Sequence, residues 1–234
     1  MASRAEEKER RRQERLAGER AAAGAAQRRR RLQMGGLAAV AVAVVVGVVI
    51  AVAGGSGSSH SSSGPNPSSG GALLASTASE ATGQPVDGVQ CQTSEQVIFH
   101  IHAHLAVFVN GAAKIIPYGI GIPPPRQVEQ TQAGPFVLSG ACFYWLHSHT
   151  EDGIIHIESP IQRVYTLGNY FDLWGQPLGP TQVGPASGPV SAFVNGQPYT
   201  RDPRSIPLTA HAVVQLDVGT PKPAPAPFTF AGGL

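Results

Sequence analysis

Residues 97–111 read VIFHIHAHLAVFVNG, and this stretch decides the fold of the domain around it. Apolar residues alternate with other residues from Val97 to Val109, and the histidines of HIHAH (100–104) fall on the opposite face. A period of two residues predicts a β-strand. The strand ends at Asn110-Gly111, a pair favoured in type I′ hairpin turns, and Asn195-Gly196 follows a second short apolar run. Both sites are predicted hairpins.

Other segments extend this strand into a β domain. Residues 141–149 and 154–158 form a further predicted hairpin around the turn at 150–153, and residues 209–218 form another strand. Only Leu167 to Gly175, with Thr166 as N-cap, is typical of a helix. The sequence therefore predicts a mainly β, mainly antiparallel domain, sandwich-like or a flattened barrel, with one short helix.

The N-terminal part predicts a membrane anchor. Residues 1–34 hold eleven Lys and Arg against five Glu and form a basic tail, whereas the remaining chain holds six against ten. Residues 35–53 carry no charge over a length that spans a bilayer, and Arg28 to Arg31 flank them on one side only. We expect one transmembrane helix, a cytoplasmic N-terminus and an extracytoplasmic C-terminal domain. The acidic balance of that domain argues against nucleic-acid binding.

A cleaved signal peptide is the alternative to an anchor. Ala51-Val52-Ala53 fits the small-residue pattern of a cleavage site. The long basic region and the long apolar segment favour the uncleaved anchor, because a signal peptide usually has an apolar region of about 7–15 residues.

Composition gives the remaining boundaries. Residues 54–85 are predicted to be a Gly/Ser-rich disordered linker, in which His60 is incidental. Residues 86–220 form the predicted β domain. Residues 221–234 form a Pro-rich tail in which residues 228–230 (FTF) are candidates to dock back on the domain.

Six histidines in two blocks are the candidate metal ligands: His100, His102, His104, His147, His149 and His156. On a strand, residues i and i+2 lie about 6.6 Å apart on one face, whereas i and i+4 lie about 13 Å apart. The first block is therefore expected to give two ligands to one ion, or one ligand each to different sites. In the second block a tight turn sets His147 opposite His156, and with His149 the hairpin presents three imidazoles.

The remaining candidates have supporting roles. Glu158 is placed on the face of the hairpin histidines, either as a ligand or as a group that orients the ligands. The isolated His211 is either a structural residue or a second group that orients the ligands. Cys91 and Cys142 are expected to form a disulfide in an exported compartment. Methionine occurs only at positions 1 and 34, so the domain offers no thioether to Cu(I).

The two histidine blocks and the segment after them resemble those of a protein family. HIHAHLAVFVNG (100–111) and CFYWLHSHTEDGIIHIESP (142–160), followed by YTLGNYFDLWGQPL (165–178), resemble an uncharacterised prokaryotic family of membrane-anchored exported proteins that shares these histidine blocks. The resemblance covers residues 86–230. It implies the domain limits and the shared histidines, and it implies no reaction.

Three functions remain open from the sequence. The favoured one is a metal-binding or metal-handling module for Zn(II) or Cu(II), ions that suit imidazole. The second is a metalloenzyme whose three-histidine site activates water or oxygen. The third is a structural or pH-responsive envelope module without metal. Within the metal hypothesis, we expect the hairpin histidines to form the tighter site.

Overall fold

The computed structural model describes residues 71–232 and 234. The predicted basic tail, transmembrane helix and first part of the linker lie outside these residues. Among the residues described, no helix combines the length and apolar character needed to cross a membrane.

The described chain is built almost entirely of strands. The first strands are β1 (Ala72–Leu73), β2 (Cys91–Gln92), β3 (Phe99–Val109), β4 (Ala112–Ile115), β5 (Gln127–Thr131), β6 (Gly134–Ser139), β7 (Phe143–Tyr144), β8 (Leu146–His147) and β9 (Ile154–Ser159). After them come β10 (Tyr165–Thr166), helix α1 (Leu167–Trp174), β11 (Leu178–Gly179), β12 (Gln182–Val183), β13 (Ala186–Ser187), β14 (Val190–Val194), β15 (Gln197–Tyr199), a 3₁₀ turn (Pro203–Ser205), β16 (Pro207–Leu208) and β17 (Ala212–Val218).

The central sheet is mixed. Its strands follow the order β1-β4-β3-β17-β14-β15, and β9 pairs with both β3 and β8. Strand β3 runs parallel to β17, and β1 runs parallel to β4, while the other pairs of this sheet are antiparallel. The mainly β class with one helix is confirmed. The prediction of a mainly antiparallel sheet missed the parallel pairs, and the described strands close no barrel. Parallel neighbours need a long crossover, and the local alternation that predicts a strand does not specify its partner.

The predicted hairpins form for the expected reason. Asn110 and Gly111 have φ of 49° and 80°, and Asn195 and Gly196 have φ of 51° and 76°. Two successive positive φ angles are the requirement of a type I′ turn, whose twist matches that of the flanking strands. These turns join β3 to β4 and β14 to β15.

The hydrophobic core lies between the central sheet and α1. Residues of β3 such as Leu105 pack in the same cluster as Tyr170 and Trp174 of the helix. The helix begins at the predicted N-cap, where Thr166 and Asn169 form a capping box, and it ends at Gly175 in the left-handed conformation.

The folded domain starts earlier than residue 86. Strand β1 pairs with β4, and Leu74 and Ala81 are buried in the core. Residues 72–85, which the composition placed in the linker, therefore pack on the domain. This packing could not be predicted from the sequence, because strand β1 is only two residues long and follows a Gly/Ser run. At the other end Phe228 stacks on His104 with ring centroids 3.7 Å apart, so the tail docks on the domain.

Candidate metal centre

Three adjacent strands bring three histidines into one row. In the register of the sheet, His102 on β3 lies opposite His156 on β9, and His156 lies opposite His147 on β8. The ring centroid of His156 is 4.6 Å from that of His102 and 5.3 Å from that of His147. The two histidine blocks of the sequence therefore meet, and the hairpin register agrees with the predicted one.

The first set of ligand atoms, called the strand group, contains His100, His102, His156 and Glu158. Nε2 of His102 is 3.0 Å from Nε2 of His100 and 3.1 Å from Nδ1 of His156. Oε1 of Glu158 is 3.0 Å from Nε2 of His100 and 3.4 Å from Nδ1 of His156. A tetrahedral zinc ion with bonds of about 2.0–2.1 Å separates its ligands by about 3.3 Å. The four contacts are close to that spacing.

The second set, called the hairpin group, contains His147, His149 and His156. Nε2 of His147 is 3.1 Å from Nε2 of His149. Glu95, from the loop before β3, places Oε1 3.3 Å from Nε2 of His149. Phe136 stacks on His149 and Phe143 meets His147 edge-on, so this side of the cluster is covered by aromatic rings.

Backbone contacts fix the tautomers of the hairpin pair. Nδ1 of His147 lies 2.8 Å from the carbonyl oxygen of Tyr144, and Nδ1 of His149 lies 2.6 Å from that of Val137. A carbonyl oxygen only accepts, so each Nδ1 must carry a proton and donate it. A neutral imidazole has one N–H, and each Nε2 is then a bare lone pair. Outer partners of this kind orient histidines that bind metals.

Burial keeps these imidazoles neutral. It lowers the pKa of His147 to about 3 and that of His102 to about 4, with the charges of neighbouring imidazoles adding to the effect. The pKa of His149 is lowered as well, again mainly by burial. Burial raises the pKa of the Glu158 carboxyl, but the hydrogen bond from His156 and the electrostatic attraction of the neighbouring His147, His100 and His156 rings outweigh burial, so this pKa lies below its ordinary value. Neutral rings of His102, His147 and His149 and an ionised Glu158 are the protonation states that a metal ion requires of its ligands.

Two of the candidate histidines stand apart from both groups. His104 is buried under Phe228, and its Nε2 lies 3.1 Å from the carbonyl oxygen of Asp152, which identifies Nε2–H as a donor. Within HIHAH, His100 and His102 thus share a possible ligand group that does not include His104. His211 stacks on Phe230, and only its backbone N–H reaches the cluster strand, donating to the carbonyl oxygen of His102.

The disulfide is confirmed, and it positions a residue that the sequence analysis missed. Cys91 and Cys142 are bonded, with Cα atoms 5.5 Å apart, and β2 pairs with β7 beside them. The loop that follows carries Glu95 to the cluster. A lone acid in a polar segment has no periodic signal, but its place between a disulfide cysteine and the HIHAH strand could have identified it.

Solvent reaches the cluster at His100 and Glu95. The side chains of His100 and Glu95 are 37% and 39% exposed, whereas that of Glu158 is 4% exposed. An ion therefore has a route to the inner ligands past these two residues. Comparison of the chain with protein-family models, curated proteins and solved structures finds no match.

Proposed function

We propose that this protein binds divalent transition-metal ions, Zn(II) or Cu(II), in a domain held outside the cell membrane by an N-terminal anchor. The observation that carries the proposal is the pair of bare Nε2 atoms of His147 and His149, 3.1 Å apart. Two lone pairs at that distance repel each other unless a cation lies between them. Protonation of either ring is opposed by burial, which lowers both pKa values.

The donor set selects the class of ion. The cluster offers imidazole nitrogens and carboxylate oxygens. Both cysteines of the chain are bonded to each other, and methionine is confined to positions 1 and 34, so soft sulfur ligands do not contribute. Imidazole nitrogens suit first-row transition-metal ions, among them Zn(II) and Cu(II).

The proposed extracytoplasmic location of the domain is based on the sequence, and the disulfide supports it. Residues 35–53 and the flanking Arg28 to Arg31 favour a single-pass anchor with the domain outside, and the resemblance to membrane-anchored exported proteins agrees with it. The Cys91–Cys142 disulfide supports an oxidising compartment, because such bonds are rare in the cytosol.

The other two functions have less support. A cavity of about 420 Å³ between β14 and the 3₁₀ turn is lined by residues such as Ser191 and Arg201 and by no residue of the cluster, so it gives no substrate space beside the histidines. A pH-responsive module needs imidazoles that titrate between about pH 5 and 8. Burial lowers the pKa of His102 to about 4 and that of His147 to about 3, so these two imidazoles lie below that range.

Metal titration of the full chain in detergent, purified without an affinity His-tag, tests the proposal. We expect the parent to bind Zn(II) and Cu(II), and we expect His149→Ala to weaken binding strongly because it removes one atom of the bare pair. His104→Ala is the matched control, since it also removes a buried imidazole but none of the grouped ligands. A parent that binds neither ion, or a His149→Ala variant that binds both as tightly as the parent, contradicts the proposal.

A further inference from the structure

We infer that the cluster holds two metal ions rather than one, and that His156 and Glu158 lie between them. This inference rests on the proposed function and deepens it. One ion lies in the strand group, and the other lies between His147, His149 and Glu95. The reasons are the number of donors, their separation into two sets, and an unpartnered oxygen of Glu158.

The cluster has more donors than one ion uses. The strand group supplies four ligand side chains, and His147, His149 and Glu95 supply three more. Protein-bound zinc is almost always four-coordinate, and a three-ligand site completes its shell with water. Seven donors divide into one shell of four and one of three.

The donors also separate in space. His149 shares a ligand group with His147 and His156, whereas His100 and His102 share one with His156 and Glu158. The ring of His156 is the common member: its centroid is 4.6 Å from that of His102 and 4.8 Å from that of His149. A single ion at one end of this arrangement would leave the ligands at the other end facing each other with no cation.

Glu158 reaches both sets. Its Oε1 contacts His100 and His156, and the residue forms a third possible ligand group with Glu95 and His147. Its Oε2 is buried and has no hydrogen-bond partner within residues 71–232 and 234. A buried carboxylate oxygen without a partner is costly, and a second cation would satisfy it.

The spacing of the two ions follows from the shared carboxylate. A neutral imidazole offers one lone pair, so His156 binds one ion only, whereas each oxygen of Glu158 can bind a different ion. Ions held in this way in two-metal sites lie about 3.5–4 Å apart. Two Cu(II) ions at this distance couple magnetically, which gives a readout that does not depend on activity or on affinity.

Cu(II) titration of the full chain, followed by metal analysis and electron paramagnetic resonance, tests the inference. The parent should bind two equivalents, with the signal of an isolated Cu(II) after the first and a coupled, weakened signal after the second. His100→Ala and His149→Ala should each bind only one equivalent of Cu(II), and the signal should be that of an isolated ion. The reason is that each substitution removes a ligand from a different set. His104→Ala should keep two coupled ions, and circular dichroism identifies any variant that fails to fold.

The outcomes separate the two proposals. A parent that saturates at one ion, or that binds two ions without coupling, overturns the inference and leaves the proposed metal binding in place. A parent that binds no ion overturns both. Because the decisive measurement is made on the parent, a variant that does not fold leaves the test intact.

Discussion

The imidazole of His156 belongs to both ligand groups, so His156→Ala is expected to weaken metal binding throughout the cluster. In the strand group its Nδ1 lies 3.1 Å from Nε2 of His102 and 3.4 Å from Oε1 of Glu158. In the hairpin group its ring stacks on that of His147, with centroids 5.3 Å apart. The substitution removes one of four ligands from the first group and one of three from the second.

The size of the effect follows from the role of the lost atom. Groups that only orient a metal ligand already change affinity by about 10–100-fold when they are removed. A direct ligand should cost more, so we expect Kd for Zn(II) to rise at least about 100-fold, which corresponds to about 2.8 kcal/mol. The variant should keep its fold, because the buried apolar residues on both sides of position 156, Ile155 and Ile157, are unchanged.

Competition of the protein with a chromophoric chelator at pH 7 measures this Kd. His104→Ala should differ from the parent by less than about threefold, since its imidazole is buried but belongs to neither group. Thermal unfolding of the metal-free variants should show similar transitions for both. If His156→Ala binds Zn(II) as tightly as His104→Ala does, the shared position of His156 is refuted.

Three further predictions concern stability. Cys142→Ser opens a disulfide that spans 51 residues, and in the chain-entropy model it should lower the free energy of unfolding by about 4 kcal/mol in urea titrations. Burial lowers the pKa of His147 from 6.5 to about 3. Between these two pH values the imidazole of His147 is protonated in the unfolded chain but neutral in the folded domain. His147 alone should therefore contribute a fall of about 3 kcal/mol in the free energy of unfolding of the metal-free protein from pH 7 to pH 4, so a His147→Gln variant should lose that much less than the parent, and equal losses would show that this imidazole is charged in the fold. Gly153→Ala should destabilise the protein by at least about 2 kcal/mol more than Gly196→Ala in the same assay. Both glycines have positive φ, but only at 153 would the new Cβ lie 2.3 Å from a backbone oxygen, that of Leu105, and equal losses would exclude this clash as the cause.

Local signals predicted the local parts of the fold. The alternation from Val97 to Val109 identifies β3, the Asn-Gly pairs identify two hairpins, and Thr166 marks the start of the helix. The parallel pairing of β3 with β17 joins segments about a hundred residues apart, and no periodic pattern encodes such a partner. Strand β1 was not predicted either, because its two residues are too few to show an alternating pattern.

The site, like the fold, has parts that local sequence predicts and parts that depend on contacts between distant segments. The turn at 150–153 is enough to place His147 opposite His156, and strand geometry is enough to limit HIHAH to two ligands for one ion, although it leaves open whether His100 or His104 is the one left out. The pairing of β3 with β9, which sets His102 opposite His156, depends on packing between distant segments, so the sequence left open whether the two blocks meet. Glu95 was missed because its position depends on the disulfide and on a loop without regular structure.

The pairing of β3 with β9 also aligns the ligand atoms of the proposed metal site. A slip of one residue would turn every ligand of β9 to the opposite face, and it would also move Ile155 and Ile157 out of the core. The apolar residues therefore enforce the alignment that the ligands need, and the shell is assembled before any ion arrives. Little ordering entropy remains to be lost on binding. On the proposed function, ions would then bind and dissociate while the strands stay paired.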